Sequence, residues 1–111
     1  MTTPAVDARQ GHELAAGGAL LLDVRQPDEW DAGHAPGATF IPLREVPERI
    51  AELPRDRRIV AICRSGARSG RATDFLVAQG FDAVNLAGGM KAWAAEGFTV
   101  ETDDGSPGAV A

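Results

Sequence analysis

Cys63 is the only cysteine in this 111-residue chain. It closes the apolar run Ile59–Cys63 and opens the segment Cys63-Arg64-Ser65-Gly66-Ala67-Arg68-Ser69. A cysteine attacks as its thiolate, and reactive thiolates sit in electropositive, amide-rich surroundings. The residues after Cys63 can build such a setting. If the loop wraps around the sulfur, the amides of Arg64 to Ser69 form a nest for an anion. The N-terminus of a following helix adds partial positive charge. Arg64 and Arg68, with Arg71 beyond them, add full charges. Gly66 permits a tight turn, and the small Ser65 and Ala67 leave room for a ligand. Ser69 is placed both to cap the helix and to donate to the sulfur. The plainer alternative is a small buried hydrophobe, but such a residue gains nothing from a Cys-x-x-Gly-x-Arg-Ser turn. The chemistry expected is therefore nucleophilic, with Cys63 attacking and Arg64, Ser65, Gly66, Ala67, Arg68 and Ser69 binding an anionic substrate.

Such a loop needs a frame. Four short apolar runs, Ala19–Asp23, Thr39–Ile41, Ile59–Cys63 and Ala83–Leu86, are continuous rather than alternating. That pattern suits strands covered on both faces. Between them the spacing predicts helices over Val6–Ala16, Pro27–Ala32, Leu43–Leu53, Ser69–Gln79 and Gly89–Glu96, with Pro47 either in a first turn or breaking its segment. Gly80 and Gly97 follow two of these as left-handed caps, with Phe81 and Phe98 folding back onto the helices. Strands alternating with helices give an α/β fold with a central, mostly parallel sheet. Ligands bind such sheets outside the carboxyl ends of the strands, which is where Cys63 is delivered. Asp23 and Arg25 stand at the end of an earlier strand and are read as a supporting ion pair.

Composition bounds the rest. One cysteine allows no internal disulfide and no cysteine-based zinc site, so no metal is expected. A lone thiol suits a reducing compartment, and the expected location is cytoplasmic. The first ten residues lack the basic start and apolar core of a signal peptide. No apolar run approaches the roughly 20 residues of a membrane helix. A net charge of -5 and a pI near 4.9 argue against nucleic-acid binding. Residues 102–111 are rich in Asp, Gly, Ser and Pro and are expected to form a flexible tail. Residues 1–6 form a short lead, and 7–101 a single domain. The sequence sets no oligomeric state.

Four segments in order resemble the rhodanese family. They are Leu22-Asp23-Val24-Arg25-Gln26-Pro27-Asp28-Glu29-Trp30, Gly33-His34-Ala35-Pro36-Gly37-Ala38, the Cys63–Ser69 loop, and Asn85-Leu86-Ala87-Gly88-Gly89-Met90-Lys91-Ala92-Trp93. The resemblance implies a three-layer rhodanese-like fold, with a sheet of about five strands between helices. It implies that Cys63 takes sulfur from thiosulfate or a similar small anionic donor as a persulfide. An external thiol, cyanide or a partner protein's cysteine would then remove it, with no cofactor. Related phosphatases and arsenate reductases close a longer loop, Cys-x5-Arg. Here the arginine comes one residue earlier, at Arg68, so the ring suits a sulfur atom better than a phosphate. A persulfide carrier or sulfur-responsive binding module with little turnover on free thiosulfate is the competing role. His34 sits in turn chemistry, and an already ionised thiolate needs no general base.

Overall fold

Parallel strands covered by helices on both faces bury nearly all their side chains, and the central strand here does so completely: Ile59, Val60, Ala61 and Ile62 are each 0% exposed. The computed structural model describes residues 2–111. Its elements are β1 (Ala5–Val6), α1 (Ala8–Ala16), β2 (Leu20–Asp23), α2 (Pro27–Ala32), β3 (Thr39–Phe40), β4 (Ile59–Ile62), α3 (Ala67–Ala78), β5 (Ala83–Leu86) and α4 (Gly89–Ala95). The sheet runs β1-β5-β4-β2-β3 and every pairing is parallel. All the strands therefore end at one edge, and β4, which leads into Cys63, is the middle one.

Successive side chains of a strand point to opposite faces, and β4 divides the core accordingly. Ile59 and Cys63 face Ala72 and Leu76 of α3, together with Val46 and Leu53. Val60 and Ile62 face Ala8 of α1 and Met90 and Trp93 of α4. The result is the three layers that the sequence implies. α3 ends as its glycine signal predicts, with the Phe81 amide returning to the Leu76 carbonyl at 3.0 Å.

Four local expectations change. The helix after Cys63 starts at Ala67 with Gly66 at its cap, so Ser69 lies inside the first turn and does not cap it. The predicted helix over Leu43–Leu53 is instead two 3-10 turns, Leu43–Glu45 and Ile50–Glu52, separated at Pro47, which has no amide to continue a helical ladder. The fifth strand is Ala5–Val6, inside the expected lead, paired with Asn85 and Leu86. The flexible tail predicted for residues 102–111 is docked. The Ala109 amide donates to the Ala32 carbonyl at 3.0 Å and the Gly108 amide to the Val100 carbonyl at 2.9 Å. Val110 packs against the Trp93 side of the core. Composition showed how little this segment could bury, but not that backbone pairing would hold it. Among the described residues no helix is long and apolar enough to cross a membrane.

Candidate active site

The chain leaves β4 at Ile62, and the next residue turns its sulfur into the loop. The Gly66 amide donates to Cys63 Sγ at 3.1 Å, and the Ser69 hydroxyl lies 3.2 Å from it. Burial pushes the thiol pKa up. The Ser69 hydroxyl and the amides of Ser69, Gly66 and Ser65 outweigh that and hold it below its ordinary value. Cys63 is only 1% exposed, and it lies beneath a loop whose residues Arg64, Ser65 and Ala67 are exposed.

What turns the amides inward lies outside the loop. A trans peptide points its C=O and N–H in opposite directions. The Lys91 amide, in the first turn of α4, holds the Arg64 carbonyl at 3.1 Å, so the Ser65 N–H of that peptide faces the sulfur. The Met90 amide holds the Cys63 carbonyl at 2.8 Å. Asn85, on β5, donates from Nδ2 to the Gly66 carbonyl at 3.1 Å, and its Oδ1 is 2.6 Å from the Ser69 hydroxyl. Gly66 itself adopts φ +110° as the residue before α3, a conformation that favours glycine. The arrangement turns backbone amides and one hydroxyl toward a single sulfur atom.

The family model described as "Rhodanese-like domain" matches residues 7–96.

The chain belongs to the rhodanese-like family. It is 44% identical over 87 residues to "Sulfurtransferase" of Allochromatium vinosum, covering 78% of this chain and 81% of that protein. It is 35% identical over 120 residues to "Thiosulfate sulfurtransferase 18" of Arabidopsis thaliana, covering 94% and 88%. Among solved structures, a rhodanese-related protein of Thermoplasma volcanium superposes with a TM-score of 0.82 at 33% identity, covering 87% of this chain and 96% of that one.

Within this rhodanese-like frame the two loop arginines are already engaged. Arg68 makes a two-pronged pair with Glu29 of α2, Nη1 to Oε1 at 2.7 Å and Nη2 to Oε2 at 2.9 Å. Arg64 donates from Nε to the Ala111 carbonyl at 2.8 Å. Neither guanidinium hydrogen-bonds the sulfur. The pKa of Arg68 is raised chiefly by its bond to Glu29 and, to a lesser degree, by the charges of Glu29, Cys63 and Asp23. Asp23 and Arg25 form a fully buried pair, Nη2 to Oδ2 at 2.8 Å. His34 is stacked on Trp30 with centroids 3.6 Å apart, and its Nδ1 meets the Trp30 carbonyl. It has no contact with the loop. Among the described residues no group of His, Cys, Asp and Glu could hold a metal.

Sequence reasoning passed over Asn85, Gly89 and Glu29. Asn85 and Gly89 were visible only as motif letters, because their work is to hold other residues' backbone. Glu29 had one legible signal, its place three residues after Gln26 at a helix start. There it accepts from the Gln26 amide at 3.0 Å as half of a capping box.

Arg68 bonded to Glu29, with lesser help from the Gln26 amide, holds the Glu29 carboxyl at about 2. A depressed carboxylate pKa stabilises the fold above the unfolded-state value and loses that contribution as pH falls through the folded value. Glu29→Gln is therefore expected to be less stable than the parent by about 1 kcal/mol at neutral pH, once solvent screening of a partly exposed pair is allowed for. The gap should close between about pH 4.5 and 2, the two ends of the Glu29 displacement. Urea midpoints of the two proteins at pH 7, 4 and 3 check it; a gap that persists unchanged at pH 3 refutes the assignment.

Proposed function

We propose that this protein is a cytoplasmic sulfurtransferase that carries sulfane sulfur on Cys63, taking it from thiosulfate or a similar small anion. The observation that carries the reading is the single sulfur atom ringed by the Gly66 amide and the Ser69 hydroxyl at the end of the central strand. The Cys63 thiolate attacks the outer sulfur of the donor. The donor's S–S bond breaks, its electron pair leaves with sulfite, and Cys63 becomes a persulfide. An acceptor thiolate or cyanide then attacks the outer sulfur of the persulfide and returns Cys63 to thiolate. Two half-reactions through one covalent intermediate give ping-pong kinetics. The cradle suits both steps, since fixed amides stabilise charge on sulfur without reorganising. The chain contains no second cysteine, so the acceptor is external: a small thiol, cyanide or a partner protein's cysteine. The A. thaliana relative's name supports thiosulfate as the donor.

Intact-mass measurement after thiosulfate treatment tests this. The parent should gain one sulfur atom and lose it to cyanide, while Cys63→Ser should gain none and keep the parent's melting temperature within a few degrees. Repeated turnover in a thiosulfate:cyanide assay supports the enzyme, whereas a single loading without turnover supports a carrier. Absence of any sulfur gain on Cys63 from thiosulfate or a polysulfide overturns the proposal.

A further inference from the structure

We propose that Asn85 is a positioning residue that competes with the Cys63 sulfur for the one proton of the Ser69 hydroxyl, and so sets how far the loop ionises its thiol. A serine hydroxyl carries a single hydrogen. Two acceptors lie within its reach, Asn85 Oδ1 at 2.6 Å and Cys63 Sγ at 3.2 Å. The first is near the short end of the range for an O–H···O bond. One proton cannot serve both at full strength.

The geometry also fixes which end of the amide faces Ser69. Asn85 Nδ2 lies 3.1 Å from the Gly66 carbonyl, and a carbonyl only accepts. A flipped amide would set oxygen against oxygen there and present two donors to Ser69. The Gly66 carbonyl therefore locks Asn85 with its acceptor toward the hydroxyl. Position and strand pairing leave little room for escape, because Asn85 is in register with Ala61 across the β4–β5 ladder.

Two states follow. With a neutral thiol, the S–H donates to Ser69 Oγ and the hydroxyl donates on to Asn85. With a thiolate, the hydroxyl turns to the sulfur and Asn85 Oδ1 gives up its donor. Ionisation thus breaks one hydrogen bond while strengthening another, and Asn85 moderates a thiol that the amides of Ser65, Gly66 and Ser69 drive toward the anion. The same swing belongs to catalysis: once the inner sulfur is bonded to a second sulfur, its charge has moved outward and the hydroxyl returns to Asn85. The neighbouring charges do not take part in the swing. Arg68 is bound to Glu29, Arg25 to Asp23 and Arg64 to the Ala111 carbonyl, and none of them hydrogen-bonds Ser69 or Asn85.

The inference deepens the sulfurtransferase reading and rests on Cys63 as its nucleophile. Its test reads the thiol with no sulfur donor present, so a protein that takes up no sulfur can still titrate as described, and the reverse. The thiol pKa is measured by ultraviolet thiolate absorbance and by the pH dependence of iodoacetamide alkylation in four proteins: parent, Asn85→Val, Ser69→Ala and the double variant. Valine removes the amide while suiting a strand. Losing the bond to Gly66 loosens the loop whether or not Ser69 is present, so the Ser69→Ala background subtracts that effect. The pKa change caused by Asn85→Val should be lower by about 0.5–1 unit when Ser69 is present than when it is alanine, the size of one hydrogen bond exchanged between neutral and charged acceptors. A difference of zero, or one of opposite sign, overturns the proposal. If Asn85→Val does not fold, Asn85→Ala in the same cycle reads the same difference.

Discussion

Asp23→Ala is expected to lower the stability of the protein by about 3–5 kcal/mol, the range for removing one partner of a buried ion pair. Asp23 and Arg25 are both 0% exposed. Arg25 Nε lies 3.0 and 3.1 Å from the two carboxylate oxygens and Nη2 lies 2.8 Å from one of them. Among the described residues the only other hydrogen-bond partner of the guanidinium is the Gly33 carbonyl, at 2.8 Å from Nη2, and Nη1 has none. The guanidinium is thus already one hydrogen bond short, and alanine at 23 would leave it a single hydrogen-bond acceptor, the Gly33 carbonyl, with the Glu29 carboxylate acting only through charge. Asp23 Oδ1 also receives the Arg25 amide at 3.0 Å, so the turn after β2 loosens too. Urea denaturation gives the number. The charge argument predicts more than a loss: Asp23→Leu combined with Arg25→Met should recover most of it, because a buried pair replaced as a whole by apolar groups is often neutral. If Asp23→Ala costs less than about 1 kcal/mol, the pair is not buried as described. Sulfur uptake by the double variant separates roles. Uptake near the parent's level makes the pair scaffolding, while a stable fold with little uptake gives it a part in the site.

The residues that carry charge or bonds to sulfur were legible as letters, because Cys63, Gly66 and Ser69 are adjacent in the chain and their side chains or turn chemistry state their role. The strands were legible for the same local reason: Ile59–Ile62 and Leu20–Asp23 are continuous apolar runs, and only burial on both faces explains them. What could not be read is what depends on distant partners. Arg68 pairs with Glu29, 39 positions away, a partner no local pattern encodes. Arg64 meets the Ala111 carbonyl across 47 positions. The strand at Ala5–Val6 is too short to show a period and exists because β5 offers an open edge. The docked tail escapes detection in the same way, since its backbone bonds at Ala32 and Val100 leave no mark on its composition and its Asp103 meets Trp30, 73 positions away. Pro47, by contrast, left two readings open, a first turn or a break, and the segment breaks there.

Gly89 shows how far the site depends on such nonlocal packing, and Gly89→Ala is expected to abolish most sulfur uptake. Gly89 has φ +57°, which an alanine adopts at a cost of about 1–2 kcal/mol. The larger effect is steric. A Cβ there would run into the Cys63 carbonyl oxygen and lie 2.6 Å from both the carbonyl carbon and oxygen of Arg64. These are backbone atoms of the Cys63–Ser69 loop with no flexible end to swing aside, so the loop and the first turn of α4 must separate. The Met90 and Lys91 amides then lose the Cys63 and Arg64 carbonyls, and the Ser65 amide is no longer turned toward the sulfur. Displacing a reacting group by about 1 Å can reduce a rate on the order of 100-fold, and at least that loss in sulfur uptake is expected. The thiol pKa should rise with the loss of amide donors. Gly37→Ala is the control, because Gly37 also has positive φ, +75°, but a Cβ there meets nothing within 4 Å. It should carry the conformational cost alone and leave uptake intact. Melting curves and alkylation pH profiles of the two variants make the comparison. If Gly89→Ala takes up sulfur as fast as Gly37→Ala, the loop is not held by α4, and the account of how its amides come to face the sulfur fails.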